Sequence, residues 1–316
     1  MRNNRLHSLL FRIQKFFAIL AGSLLILIAG LYLYLANMEG KRAEPLVLSG
    51  NESVRPLFFA HRGGGGEAPE NTMPAFEKAV ESGVDVLELD VHSTSDGELV
   101  VHHDRSLERT TNRTGLIDEN TLEELGEVDA GFAFSSDGGQ TYPFRGRGVR
   151  IPTLREVFLR FPDKLINIEI KTTDVSVVKP LCGLLGEFER KESVIVASTG
   201  GPVINAFRTE CKGVATSASF REVLWFVLLY NVGLTENFSA DMQALQVPEH
   251  LFGTALVSDG FVKAAKERNL KIHIWTANKR SDIKRLVDAG VDGVMTDRPS
   301  LLRNSQGNKI GVRDGF

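Results

Sequence analysis

The chain has 316 residues, 42% of them hydrophobic and 24% charged, with a formal net charge of -3. That is enough for one large globular domain with an appendage, and the lack of a basic stripe with interleaved aromatics argues against a nucleic-acid partner. Two cysteines, Cys182 and Cys211, are too few for a disulfide framework or a cysteine-rich zinc site. They read equally well as one bridge or as two buried thiols.

Residues 1–15 form a basic N-terminal segment carrying Arg2, Arg5, Arg12 and Lys15. Residues 16–36, FFAILAGSLLILIAGLYLYLA, carry no charge. A membrane span needs about 20 apolar residues, and a cleavable signal core is shorter, about 7–15. Tyr34 also stands where a signal cleavage site wants a small residue. A transmembrane anchor is therefore expected. The positive-inside rule puts the short N-terminus in the cytoplasm and the rest on the outer, periplasmic or extracellular, side. Residues 37–55 read as a polar linker, 56–302 as the main folded domain and 303–316 as a polar tail.

Leu57 to Ala60 is a short apolar run ended by His61 and glycines, a buried strand. A helix follows, capped by Asn71 or Thr72, with Pro74 in its first turn and Gly83 as its stop. Val86 to Val91 is the next strand, and Leu99 to Val101 returns from it through a turn at Ser95 to Glu98. Arg105 to Arg150 is an excursion with one short helix, Leu122 to Leu125. Ile151 to Phe161 is amphipathic, and strands are expected at Leu165 to Ile170, Val194 to Ala197, Gly213 to Ala218, Ala244 to Val247, Lys271 to Trp275 and Gly293 to Met295. Helices at Pro180 to Phe188, Pro202 to Phe207, Ser258 to Arg268 and Ser281 to Ala289 separate most of them. This alternation has the rhythm of an α/β (β/α)8 TIM barrel preceded by a transmembrane helix. Polar residues gather at the strands' C-terminal ends, the rim on which such barrels build their sites.

The chemistry starts from Glu88 and Asp90. One residue apart on a strand, they share a face, which in a barrel is the interior. Two inward carboxylates are costly unless neutralised, and a hard divalent cation with oxygen ligands does that. Glu169 supplies a third carboxylate and Lys171 a cation on the same face of IEIK. A buried salt bridge is the plainer alternative for these groups. His61 and one of His102 and His103 suit general acid–base cleavage of a phosphoester. Adjacent residues point to opposite faces, so only one of that pair enters the site. Arg62 and Lys171 would hold phosphate oxygens. Gly63 to Gly66 could bring backbone amides to an anion, although four glycines are by default a turn.

These motifs together resemble the glycerophosphodiester phosphodiesterase family. The matching stretches are HRG at His61, PENT at Pro69, ELDV at Glu88, T-x-D-G at Thr94, VVHHD at Val100 and L-x-RTT at Leu107. They continue with IPTL at Ile151, IEIK at Ile168, WTAN at Trp275 and GVMTDRP at Gly293. The resemblance implies one divalent cation, Ca2+ or Mg2+, and hydrolysis of a glycerophosphodiester to glycerol 3-phosphate and an alcohol. It implies His61 and His103 as the catalytic pair, the family's histidine directly preceding an aspartate. It implies Glu88, Asp90 and Glu169 as metal ligands and Arg62 and Lys171 as phosphate contacts. Asp104 is placed to orient His103, and Glu70, Asn71, Gln246 and Trp275 are candidates to support or line the pocket.

Val223 to Leu234, VLWFVLLYNVGL, is too short to span a bilayer. It reads as a buried barrel helix or, with its small polar face, as an interfacial helix partly immersed in the membrane. The second reading makes a lysophospholipid a candidate substrate, in the manner of a lysophospholipase D. Two alternatives remain: a same-fold lipid phosphodiesterase that releases a cyclic phosphate, and an inactive membrane-anchored binding module.

Overall fold

The structure is a computed structural model describing residues 2–48 and 55–302. The expected polar tail, 303–316, and residues 49–54 of the expected linker lie outside the described residues. In chain order the elements are α1 (Arg2–Ala36), β1 (Leu57–Ala60), α2 (Met73–Glu81), β2 (Val86–Ser93), β3 (Leu99–Val101), α3 (Leu122–Leu125), α4 (Leu154–Arg160), β4 (Leu165–Ile170) and α5 (Val178–Glu187). They continue with β5 (Val194–Ala197), α6 (Gly201–Glu210), β6 (Ala215–Thr216), α7 (Phe220–Asn231), β7 (Ala244–Pro248), β8 (His250–Leu251), β9 (Thr254–Ala255), α8 (Asp259–Glu267), β10 (Lys271–Trp275), α9 (Arg280–Asp288) and β11 (Gly293–Thr296).

Eight strands pair side by side in the order β6-β5-β4-β2-β1-β11-β10-β7. All of these pairs are parallel. The two ends meet through a bridge between Ser217 and Ala244, so the sheet is a near-closed (β/α)8 barrel. The short β6 is the weak seam where closure depends on that bridge and on the Gln243 amide donating to the Thr216 carbonyl (2.9 Å).

Side chains alternate across each strand, so the barrel interior is built in layers. The lowest layer is apolar: Leu57, Phe59, Val86, Leu165, Ile195, Ala215 and Met295 pack as one cluster. Leu48, from the segment after α1, closes it from below. The described part of the linker is therefore laid against the barrel rather than free. The Ala43 amide donates to the Arg268 carbonyl (2.9 Å), and Ala43 and Leu48 are buried. Their burial, with Leu46 packed beside Leu48, is what holds the segment down. Gly293 is required by close approach in this layer, since a Cβ there would lie 2.7 Å from both the His273 and the Phe59 rings.

Two residues above Phe59, Val86 and Leu165 on the same faces come His61, Glu88 and Asn167, and above those Asp90 and Glu169. The register pairs Glu88 with Asn167 and Asp90 with Glu169. The period-2 pattern that buries the apolar floor thus carries the polar residues to the strands' C-terminal rim.

The excursion after β3 has a small core of its own, including Leu107, Ile117, Leu125 and Val149. Cys182 and Cys211 form a disulfide with Cα atoms 5.6 Å apart, joining the α5 and α6 layers of the helical shell. Helix α7 starts at Ser219, whose amide and hydroxyl both donate to Glu222 (2.7 and 2.8 Å). It buries Val223, Phe226 and Leu229 against the main core, so its inner side is that of an ordinary barrel helix. Its outer side keeps Trp225, Leu228 and Val232 exposed.

Candidate active site

A cavity of about 290 Å³ opens at the rim, lined by His61, Arg62, Glu88, His103, Glu169, Lys171, Gln246 and Trp275. Glu88, Asp90 and Glu169 each present a carboxylate oxygen within 4.8 Å of the others. Burial, then the neighbouring Asp90, pushes the Glu88 carboxyl well above the usual carboxylate range. Lys171 Nζ lies 2.9 Å from Glu169 and 3.2 Å from Asp90, so one ammonium serves two of the carboxylates. The expected salt bridge is present, while Glu88 accepts from the Arg62 amide (2.6 Å) and lies in the fields of His61 and Lys171. Three converging carboxylates, two of them buried, make an all-oxygen donor set that suits a hard divalent cation.

Asn71 locks Asp90 in place. Its Nδ2 donates to Asp90 Oδ2 (2.8 Å), and its Oδ1 accepts from the Asp90 amide (3.2 Å). This is why Asn71 does not cap α2. Thr72 takes the cap position, but its hydroxyl donates to the Pro69 carbonyl (2.6 Å). Asn71 and Arg62 both hold left-handed backbone, at φ 57° and 51°. Such residues are few and concentrate where surrounding structure over-determines the chain. At Arg62 the turn aims the backbone amide at Glu88 and the guanidinium over Asp90, with Nε 3.7 Å from Asp90 Oδ2. That Nε is buried without a hydrogen-bond partner, a donor suited to an anion.

Both histidines are held the same way. His61 Nδ1 donates to Asp297 Oδ1 and His103 Nδ1 to Asp104 Oδ1, each at 2.6 Å. A carboxylate at Nδ1 sets the tautomer and leaves Nε2 for the cavity. Burial opposes charge on His61, but Asp297 and Glu88 outweigh it and raise its pKa. Asp104, despite some burial, is held down to about 2 by Arg109 and His103. His102 is turned away, its Nε2 3.3 Å from the Ser106 carbonyl, and burial lowers its pKa to about 4.

The structure brings the candidate metal, histidine and phosphate residues together with Glu70, Asn71 and Asp104. Glu70 accepts from Arg62 (3.1 Å) and from Arg109 (2.6 and 2.9 Å). Gln246 lies on the floor, donating to Asn167 Oδ1 (2.6 Å) beside His273. Trp275 forms part of the wall and is 42% exposed. The glycine loop does not cradle an anion. The Gly64 and Gly65 amides turn back to the His61 carbonyl and the Gly66 amide to that of Asp297.

Sequence reasoning missed three partners: Asp297 on His61, Asn278 on Asp297 (2.6 Å), and Arg109, which joins Glu70 to Asp104. Asp297 and Arg109 both sit inside motifs that carried the resemblance. No local spacing could pair His61 with a residue 236 positions away.

Fold and site define a hydrolase of phosphoric diesters built on a parallel barrel. The Glycerophosphoryl diester phosphodiesterase family model matches residues 61–301. A glycerophosphodiester phosphodiesterase of Caldanaerobacter subterraneus is 36% identical over 256 residues, covering 79% of this chain and 98% of that protein. The human lysophospholipase D GDPD1 is 30% identical over 271 residues, covering 78% and 84%. An Oleispira antarctica phosphodiesterase, solved with its product sn-glycerol-3-phosphate, superposes with a TM-score of 0.63 at 26% identity, covering 78% and 94%. The chain belongs to the glycerophosphoryl diester phosphodiesterase family.

Proposed function

We propose that the protein hydrolyses glycerophosphodiesters, and lysophospholipids among them, at a membrane surface on the outer side of the cell. The observation that carries the reading is the pair of histidines, each with Nδ1 on a carboxylate, lining one cavity with Glu88, Glu169, Arg62 and Lys171, and with Asp90 beside the two glutamates. Glu88, Asp90 and Glu169 would hold one Ca2+ or Mg2+ ion. When bound, it supplies Lewis-acid stabilisation of the charge that develops on the phosphoryl oxygens.

The chain's own residues do the rest. Arg62, through its free Nε, and Lys171 bind the phosphate oxygens and orient the diester. One histidine takes a proton from water as its oxygen bonds to phosphorus. The other gives a proton to the alcohol oxygen as the phosphorus–oxygen bond breaks. Asp297 and Asp104 keep each ring in position, and Asp297 also favours the protonated form of His61. The products are glycerol 3-phosphate, or its acylated form, and an alcohol.

The membrane attachment is supported by α1, and the outer side by the basic residues Arg2, Arg5, Arg12 and Lys15 that precede its apolar stretch. The stretch Phe11–Ala36 contains an 18-residue window of mean hydropathy 2.5 with none of it buried, long and apolar enough to cross a membrane. The disulfide adds to this, since such bonds persist in oxidising compartments.

The test is release of choline and a phosphomonoester from glycerophosphocholine and lysophosphatidylcholine by the purified full chain. Phosphorus NMR distinguishes an open monoester from a cyclic product. Turnover should vanish with a chelator and return with Ca2+ or Mg2+. Full turnover under chelation would remove the metal from the mechanism.

A further inference from the structure

From the outer face of α7 and the aromatic side of the barrel mouth, we infer that this side of the barrel lies in the headgroup layer of the membrane that holds α1, so the site opens onto a lipid surface. The inference rests on the membrane-spanning reading of α1.

The outer face of α7 carries an apolar stripe from Trp225 to Val232, with Arg221 one turn before it and Asn231 beside its end. Trp225, Leu228 and Val232 follow one another at helical spacing and are 38%, 49% and 40% exposed, with Phe220 at the N-terminal end. Between Phe220 and Val232 one charged side chain, Arg221, is exposed. Contiguous apolar surface on a soluble barrel helix marks a contact, and the geometry here says with what. The turn after α7 holds the end of the anchor: Asn237 Nδ2 donates to the carbonyls of Ala36 and Met38. Leu35 and Ala36 pack against the main core. The C-terminal end of the stripe is therefore tied, through the turn that follows α7, to the end of α1.

At its other end the stripe reaches the site. Ser217 and Ala218 line the cavity, and Phe220 follows them. Phe252, at the tip of the β8–β9 hairpin after β7, is 82% exposed. Trp275, at the end of β10, is level with Pro248 of β7. Exposed aromatics thus crown β6, β7 and β10, while the carboxylates and histidine of β4, β2 and β1 stand on the other arc of the barrel. Tryptophan, with its amphipathic ring, and phenylalanine on an apolar face are side chains that settle at a bilayer interface. A lysophospholipid lying in that interface presents its phosphodiester at the height of the cavity, without first leaving the membrane.

The experiment uses the full chain in phosphatidylcholine vesicles. The protein has two tryptophans, so Trp275→Phe leaves Trp225 as the sole reporter. Flotation reads the anchor, and Trp225 emission reads the face. The expected result is flotation, with Trp225 emission shifted to the blue, largely quenched by lipids brominated on their acyl chains and protected from aqueous acrylamide. Flotation with Trp225 open to acrylamide overturns the inference and leaves the anchor standing. Flotation with Trp225 shielded from both quenchers means that protein, such as a second copy of the chain, covers the face, and also overturns it. Failure to float overturns both readings. In a second arm, Trp225→Ser with Leu228→Ser should raise KM for lysophosphatidylcholine in vesicles and leave turnover of soluble glycerophosphocholine unchanged. An equal change on both substrates overturns the inference.

Discussion

Replacing Asp297 with asparagine keeps the size of the side chain and removes its charge. Asp297 accepts two hydrogen bonds, from His61 Nδ1 and Asn278 Nδ2, both at 2.6 Å. An amide has one acceptor oxygen. If that oxygen stays with Asn278, the new NH2 faces His61 Nδ1, which must then accept. The ring proton moves to Nε2, the nitrogen left for the cavity, and neutral His61 can no longer take a proton there. The Asp297 side chain is 29% exposed, so screening by water is limited. A hydrogen bond to a charged group contributes about 1.5–3 kcal/mol, which corresponds to a fall in kcat of roughly 10- to 160-fold. Asp297 also raises the pKa of His61. Its loss lowers that pKa, so whichever limb of the pH–rate profile His61 sets should move to lower pH. The assay is choline release from glycerophosphocholine across a pH series, with Tm followed in parallel. A kcat within about two-fold of the unaltered chain, with an unmoved limb, would refute the orienting role, because a lost charge-assisted bond should cost more. So would a loss of activity matched by partial unfolding.

Arg109 reaches Glu70 with two nitrogens and Asp104 with a third, linking the Arg62 side of the site to the His103 side. Its side chain is 47% exposed, so Arg109→Ala should cost only about 1–2 kcal/mol, seen as roughly a 5- to 30-fold drop in kcat/KM. Arg109→Lys, with one point charge for a fork, should recover little of it, and full recovery would show that charge alone matters. His102 and His273 are buried and titrate near 4, against 6.5 when free. Below about pH 6.5 the unfolded chain takes up protons that the fold refuses, so stability is lost as pH falls from 6.5 towards 4, by up to about 3 kcal/mol for each. Tm should fall over that window, and His102→Gln should flatten the slope; a curve unchanged by that substitution speaks against a neutral buried His102. The disulfide closes a loop with a sequence separation of 29, so Cys182→Ser should lower stability by about 3 kcal/mol in chemical denaturation. Free thiol labelling of the native, unreduced protein would contradict the pairing.

The features legible in the sequence are those governed by short range. Strand alternation alone puts Glu88 and Asp90 on one inward face, and Glu169 and Lys171 on another, because the side-chain period of a strand is two. The run from Phe16 to Ala36 declares its length and apolarity without reference to any neighbour. The alternation of strands and helices, with ordered motifs along nearly the whole soluble part, was enough for the barrel and the family.

Tertiary structure decided the partnerships. Asn71 looked like a helix cap and is used on Asp90, because the buried carboxylate offers its amide two hydrogen bonds at once. The cysteines could pair only once α5 and α6 lay side by side in the shell. The inner and outer sides of α7 could not be told apart in a run apolar all round; packing chose Phe226 for the core and left Trp225 outside. His61 found Asp297 because closing the barrel sets β1 beside β11, bringing the two ends of the catalytic barrel into contact.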